Sequence, residues 1–89
     1  MGIEFDADKD AANQKKHGTS LADAERMEFD RARFARDDRH GYGEDRFQAD
    51  GLIDGRVHVL IFTVRGDVLR AISLRKANPR EVKRYDEEA

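Results

Sequence analysis

Three arginines and one histidine are the residues of this chain with the most chemistry to offer. Arg46, Arg70 and Arg75 lie in the C-terminal half, and His17 follows Lys16 near the other end. A guanidinium is a planar fork of donors that matches phosphate oxygens two at a time. A histidine beside lysines can titrate near neutrality and act as acid or base. Such a set is suited to a polyanion, RNA above all. Each part also has a plainer use. Arginines on a sheet can be a solvated face, and basic residues at a helix C-terminus stabilise its dipole.

Other chemistries find no support. There is no cysteine, hence no disulfide framework and no thiolate zinc site. His40 stands near Asp37, Asp38 and Glu44, but their spacing matches no metal-ligand pattern. Gly41-Tyr42-Gly43 is a turn and not a nucleotide fingerprint, and no nucleophile elbow occurs.

Charge patterning agrees with an anionic ligand. Charged residues make up 40% of the chain for a net charge of −2. Twelve acids stand against nine bases through Arg46, while from Arg56 to Arg84 only Asp67 and Glu81 oppose eight bases. A nearly neutral total conceals a basic C-terminal third, and local potential is what steers a phosphate.

The elements that position these residues follow from caps and turns. Eighty-nine residues make one domain, 1–89, with a thin core. No apolar run approaches the length of a membrane span and no secretory leader is visible, so a cytoplasmic protein is expected. Ile3 to Phe5 reads as a short strand. Asp6 can cap a helix through Lys16 that stops at Gly18. Lys9, Ala12, Asn13 and Lys16 form one stripe along it. Ser20 opens a second helix, Leu21 to about Glu28. Arg31 to Arg36 could be a strand, and a polar loop follows.

The last half reads as a β-meander. Asp54-Gly55 and Gly66-Asp67 are two-residue hairpin turns. Pro79 can start a short final helix. Regular pairing around both turns places Phe47, Ala49, Leu60, Phe62, Val64, Leu69 and Ala71 on the core face. His58, Ser73 and Arg75 lie at that face's far end. The opposite face then carries Arg46, Gln48, Thr63 and Arg70, with Val59, Ile61, Ile72 and Leu74.

Three blocks of sequence resemble one family. They are Glu4-Phe5-Asp6-x-x-Lys9-x-x-x-Asn13-x-x-Lys16-His17-Gly18 with Ser20-Leu21 and Ala24; Asp38-Arg39-x-x-Tyr42-Gly43-Glu44-x-Arg46; and Arg70-x-Ile72-Ser73-x-Arg75-x-Ala77 followed by Arg80-Glu81-x-x-Arg84-Tyr85. In order and spacing they resemble the BrnT toxins across nearly the whole chain. Phe5 stands where that family usually has Trp, and Leu21 where Phe is common.

The resemblance implies an α+β, RelE/ParE-like fold, with N-terminal helices packed on an antiparallel meander and a short C-terminal helix. It implies the toxin of a type II toxin–antitoxin pair, a metal-independent ribonuclease without cofactor that inhibits translation. A BrnA-like ribbon-helix-helix antitoxin would neutralise it and bind operator DNA for the pair.

Cleaving RNA without a metal requires removing a proton from the 2′-OH, protonating the leaving oxygen and stabilising the phosphate charge. His17, then Lys16, are the acid–base candidates. Arg46, Arg70 and Arg75 are the charge stabilisers, with Arg70 first. Lys9, Asn13, Arg80, Arg84 and Tyr85 are candidate substrate contacts, with helix packing the alternative for the last two. A rival expectation is a catalytically inactive binding module working with the antitoxin at the operator. A second rival is a gyrase poison, since fold does not fix function.

Overall fold

The computed structural model describes residues 2–38, 41 and 43–88. Arg39, His40 and Tyr42 lie outside them, and with them the loop histidine considered as a metal ligand. Strand β1 is Gly2–Glu4, helix α1 Ala7–His17, β2 Arg33–Arg36, β3 Phe47–Ile53, β4 Arg56–Arg65, β5 Val68–Lys76 and α2 Pro79–Glu88.

Helix α1 forms where its caps demand. The Asp6 carboxylate accepts from the Lys9 backbone N–H at 3.0 Å, and Gly18 ends the helix at φ 73°. Acids occupy the first turn and Lys15, Lys16 and His17 the last, as the dipole favours. The expected second helix is instead a 3₁₀ segment, Leu21–Arg26, with a shorter one at Phe29–Arg31. Leu21, Ala24 and Met27 are buried at a spacing of three. Three residues per turn puts all of them on one side, which an α-helix would not do as closely.

The five strands form one sheet in the order β1-β5-β4-β3-β2. The meander is antiparallel as expected, but β1 runs parallel to β5, so the sheet is mixed. Both hairpins turn in two residues, pairing Ile53 with Arg56 and Arg65 with Val68. Asp54 at φ 52° and Gly55 at φ 80° supply the paired left-handed residues of a type I′ turn.

The β4–β5 ladder departs from regular pairing at one point. Phe62 faces Ala71, yet Ile61 faces Ser73, so Ile72 is the extra residue of a bulge. Everything beyond it changes sides relative to a regular ladder. Leu74 pairs with Leu60 and turns into the core, while Ser73 and Arg75 join the face of Ile61 and Val59. This overturns the expectation that Arg75 and Arg70 lie on opposite faces.

Each face of the sheet has its own core. On the first, Leu21, Ala24 and Met27 pack against Ala49, Leu60, Phe62, Leu69, Ala71 and Leu74. Burying a side chain such as Leu60 contributes about 1.5–3 kcal/mol. A Cβ on Gly51 would come within 2.9 Å of Met27 Cγ, so this layer sits close to β3. Val64, expected inside, is 40% exposed. On the second face, Val57, Val59 and Ile61 are roofed by Ala77 and by Val82 and Tyr85 of α2. That apolar half leaves a polar half beside it, and the cleft lies there.

Candidate active site

Helix α1 lies along the open edge of β5, and Asn13 fixes it there. Its amide donates to the carbonyls of Leu74 and Thr19 at 2.8 Å each, and its Oδ1 accepts from the Leu74 N–H at 3.1 Å. Thr19 Oγ1 donates to the same Leu74 carbonyl. The side chain thus serves β5 as a neighbouring strand would, satisfying edge groups that burial would otherwise leave unpaired. Asn13 therefore belongs inside the fold, away from the surface expected of a substrate contact.

This docking aims the end of α1 at the second face. Lys16 and His17 meet Gln48, Ser73 and Arg75 around a cleft of about 220 Å³ floored by Val59 and Ile61. Burial, with the charges of Lys16 and Arg75, lowers the His17 pKa below its ordinary 6.5. Near neutral pH this imidazole is uncharged and can accept a proton. Two cations that would attract a phosphate flank it. A base beside a charge clamp in one cleft is a constellation for acid–base work on an anionic substrate.

Two carboxylates bond to side chains of the cleft lining. Arg75 reaches Glu81 with Nη1 to Oε1 at 2.7 Å and Nη2 to Oε2 at 2.8 Å. Glu81 also accepts from the Asn78 N–H at 2.9 Å, while Asn78 Oδ1 accepts from the Glu81 N–H at 2.8 Å. That is a reciprocal capping box at the start of α2. The Arg75 guanidinium is the main cause of a Glu81 pKa lowered to about 2. Asp50, buried opposite Val59, accepts from Gln48 Nε2 at 3.0 Å and lies 3.8 Å from Arg33. Arg33 in turn pairs with Glu88 near the end of α2.

The other expected site residues stand apart. Arg70 faces Thr63 on the same sheet face but outside the cleft lining, and Nη1 donates to Glu4 at 3.2 Å. Arg46 lines a separate hollow with Asp37, Asp38, Glu44 and Asp45. Lys9 is exposed on α1, and Arg80 and Arg84 are exposed on α2. None of these three lines the cleft. Tyr85 is buried, its hydroxyl donating to the Arg31 carbonyl at 2.8 Å, so it ties α2 to the segment before β2. His58 turns to the opposite face, where Nδ1 donates to the Arg56 carbonyl. Sequence reasoning missed Gln48, Ser73 and Glu81 as parts of the site. For Glu81 a signal existed in the Asn78-x-x-Glu81 capping pattern. For Ser73 the bulge hid it.

The family described as "Ribonuclease toxin, BrnT, of type II toxin-antitoxin system" matches residues 5–81. The chain is similar to the 1.1 Å crystal structure of the Brucella abortus ribonuclease toxin, BrnT, at 32% identity and a TM-score of 0.73. The likeness covers 88% of this chain and 97% of that one. A comparison with curated proteins found no match. Among the described residues no helix is long and apolar enough to cross a membrane.

Proposed function

The chain belongs to the BrnT family of ribonuclease toxins of type II toxin–antitoxin systems, and from that premise we propose that it cleaves RNA at the Lys16–His17–Arg75 cleft without a metal ion. His17, uncharged near neutrality, takes the proton of the attacking 2′-OH. Lys16 is the donor for the leaving 5′-oxygen. Arg75 holds the phosphate and offsets its growing charge. Ser73 and Gln48 line the path of the adjoining nucleotide. Arg70, on the same face of the sheet, is a further phosphate contact beyond the cleft. The single observation that carries this reading is the placing of a depressed-pKa His17 and a braced Arg75 around one cleft.

By this reading the RNA cleaved is messenger, so translation stops in the cytoplasm. A BrnA-like ribbon-helix-helix antitoxin neutralises the toxin and carries the pair to operator DNA. A RelE/ParE-like ancestry is part of the same proposal. The test is digestion of RNA by purified protein, with and without EDTA. Cleavage that EDTA leaves intact and Arg75→Ala abolishes is expected; cleavage that needs a divalent ion would overturn the mechanism.

One observation favours a second reading. Arg70 and Arg75 are each ion-paired within the fold, to Glu4 and Glu81, and the chain as a whole is slightly acidic. A catalytically inactive module that acts only with the antitoxin at the operator would show the same pairs. Such a module would leave RNA intact in the digestion while still binding its antitoxin.

A further inference from the structure

Glu81 makes no part of the cleft lining. Its geometry is nonetheless specific. Both carboxylate oxygens meet both terminal nitrogens of the guanidinium, at 2.7 and 2.8 Å, with only 11% of the Glu81 side chain exposed. The same carboxylate is fixed in turn by the Asn78 N–H. A guanidinium carries its five N–H donors in one rigid plane, and a two-point contact fixes the orientation of that plane. Arg75 is the last residue but one of β5, where a long unbranched side chain would otherwise sample many rotamers.

We propose that Glu81 is a positioning residue for the ribonuclease reaction: through its two-point clamp it holds the Arg75 guanidinium in the orientation that meets the scissile phosphate. The helix cap makes the clamp rigid. Formation of α2 and alignment of the phosphate-binding arginine are therefore one event, since the carboxylate that caps the helix also grips the arginine. The clamp also offsets the Arg75 charge felt by His17, whose pKa burial, Lys16 and Arg75 lower. The proposal rests on the reading of this cleft as the RNA-cleaving site.

The experiment compares Glu81→Gln, Arg75→Ala, the double variant and Asn78→Ala with wild type, using a defined RNA oligonucleotide. Gln keeps the shape of Glu and can still accept from the Asn78 N–H, so the fold is retained; thermal melting checks this. The expected result for Glu81→Gln is a fall in kcat of about tenfold with KM not raised, because placement rather than attraction is lost. The double variant is expected to be no slower than Arg75→Ala alone. The acid limb of the Glu81→Gln rate profile moves to lower pH, since the uncompensated Arg75 charge further disfavours protonated His17. Asn78→Ala, which weakens the helix cap but leaves the ion pair, should retain kcat more fully than Glu81→Gln.

Additive losses in the double variant, or a Glu81→Gln protein as fast as wild type beside an impaired Arg75→Ala, would overturn the proposal. Arg75→Ala cleaving at the wild-type rate would overturn the reading of the cleft itself. The clamp is then read without RNA, from the order of the Arg75 Nε–Hε signal by NMR. Loss of order in Glu81→Gln is expected, and unchanged order would refute the clamp in either case.

Discussion

Ile61 on β4 faces Ser73 on β5, while its neighbour Phe62 faces Ala71. Ile72 has no partner across the ladder, and this one extra residue decides which side of the sheet Arg75 occupies. The apolar Leu74 enters the core by the same step, so the bulge serves packing and the cleft together.

The bulge can be tested by deletion. Removing Ile72 alone makes the ladder regular and leaves Ser73, Leu74 and Arg75 on their present faces. Such a protein should fold, with a melting temperature lowered by the loss of one partly buried side chain, and should cleave RNA within about tenfold of wild type. Removing both Ile72 and Ser73 would drive Arg75 into the first core. Burying an unpaired cation costs several kcal/mol, about the whole stability of a domain this size, so circular dichroism should find no cooperative transition.

Arg75 and Arg70 should separate in kinetics. Arg75→Ala is expected to lower kcat/KM by about a hundredfold or more, as loss of a charge-stabilising donor does. Arg75→Lys should recover little, because a point charge cannot reproduce the fork to Glu81 and to phosphate. Arg70→Ala, outside the cleft lining, is expected to weaken binding and soften its salt dependence with a smaller effect on kcat. Steady-state cleavage at two salt concentrations checks all three.

His17 sets the pH dependence. Its pKa is depressed by burial and by Lys16 and Arg75. Acting as a base it must be unprotonated, so activity should fall on the acid side with an apparent pKa below 6.5. Lys16→Met, which also removes the proposed proton donor and so lowers the rate, should move the acid limb of the remaining activity towards higher pH. Stability has the same sign. The unfolded chain takes up the His17 proton first, so this contribution is complete above 6.5 and is lost as pH falls through the lower folded pKa.

Glu81 governs a second, more acidic window. Its pKa is lowered from 4.5 to about 2. A depressed carboxylate contributes stability above its unfolded pKa and loses it as pH falls through the folded one. Wild type should therefore lose melting temperature progressively between pH 4.5 and about 2, and Glu81→Gln should show a flatter slope there. Melting curves across that range provide the check.

Asn13 and Tyr85 should behave as struts. Asn13→Ala leaves the Leu74 N–H without its partner and is expected to cost about 1–3 kcal/mol in urea unfolding. Tyr85→Phe removes one hydrogen bond to the Arg31 carbonyl, for about 1 kcal/mol. Tyr85→Phe should cleave RNA at the wild-type rate when both proteins are fully folded. A substrate contact would instead raise KM without loss of stability.

Local chemistry determined much of this protein from sequence alone. Asp6 and Gly18 bound α1 because a carboxylate and a residue free to take positive φ satisfy the end groups of a helix wherever it sits. Asp54-Gly55 and Gly66-Asp67 set the hairpins because only certain residues tolerate their backbone angles. The three sequence blocks carried the family, and His17, Lys16 and Arg75 were named among many basic residues. What tertiary structure decided was which of those residues meet. A bulge is a choice between two registers of one residue's difference, and it is won by Leu74 gaining the core, a long-range term invisible to alternation. Asn13 looks like one more polar residue on a helix stripe until β5 presents an open edge to it. Val59 and Ile61 were apolar residues on a face read as polar, and α2 gave them a roof. Arg75 entered the reading as an arginine on the wrong face; the fold places it beside His17 and secures it with a carboxylate six residues on.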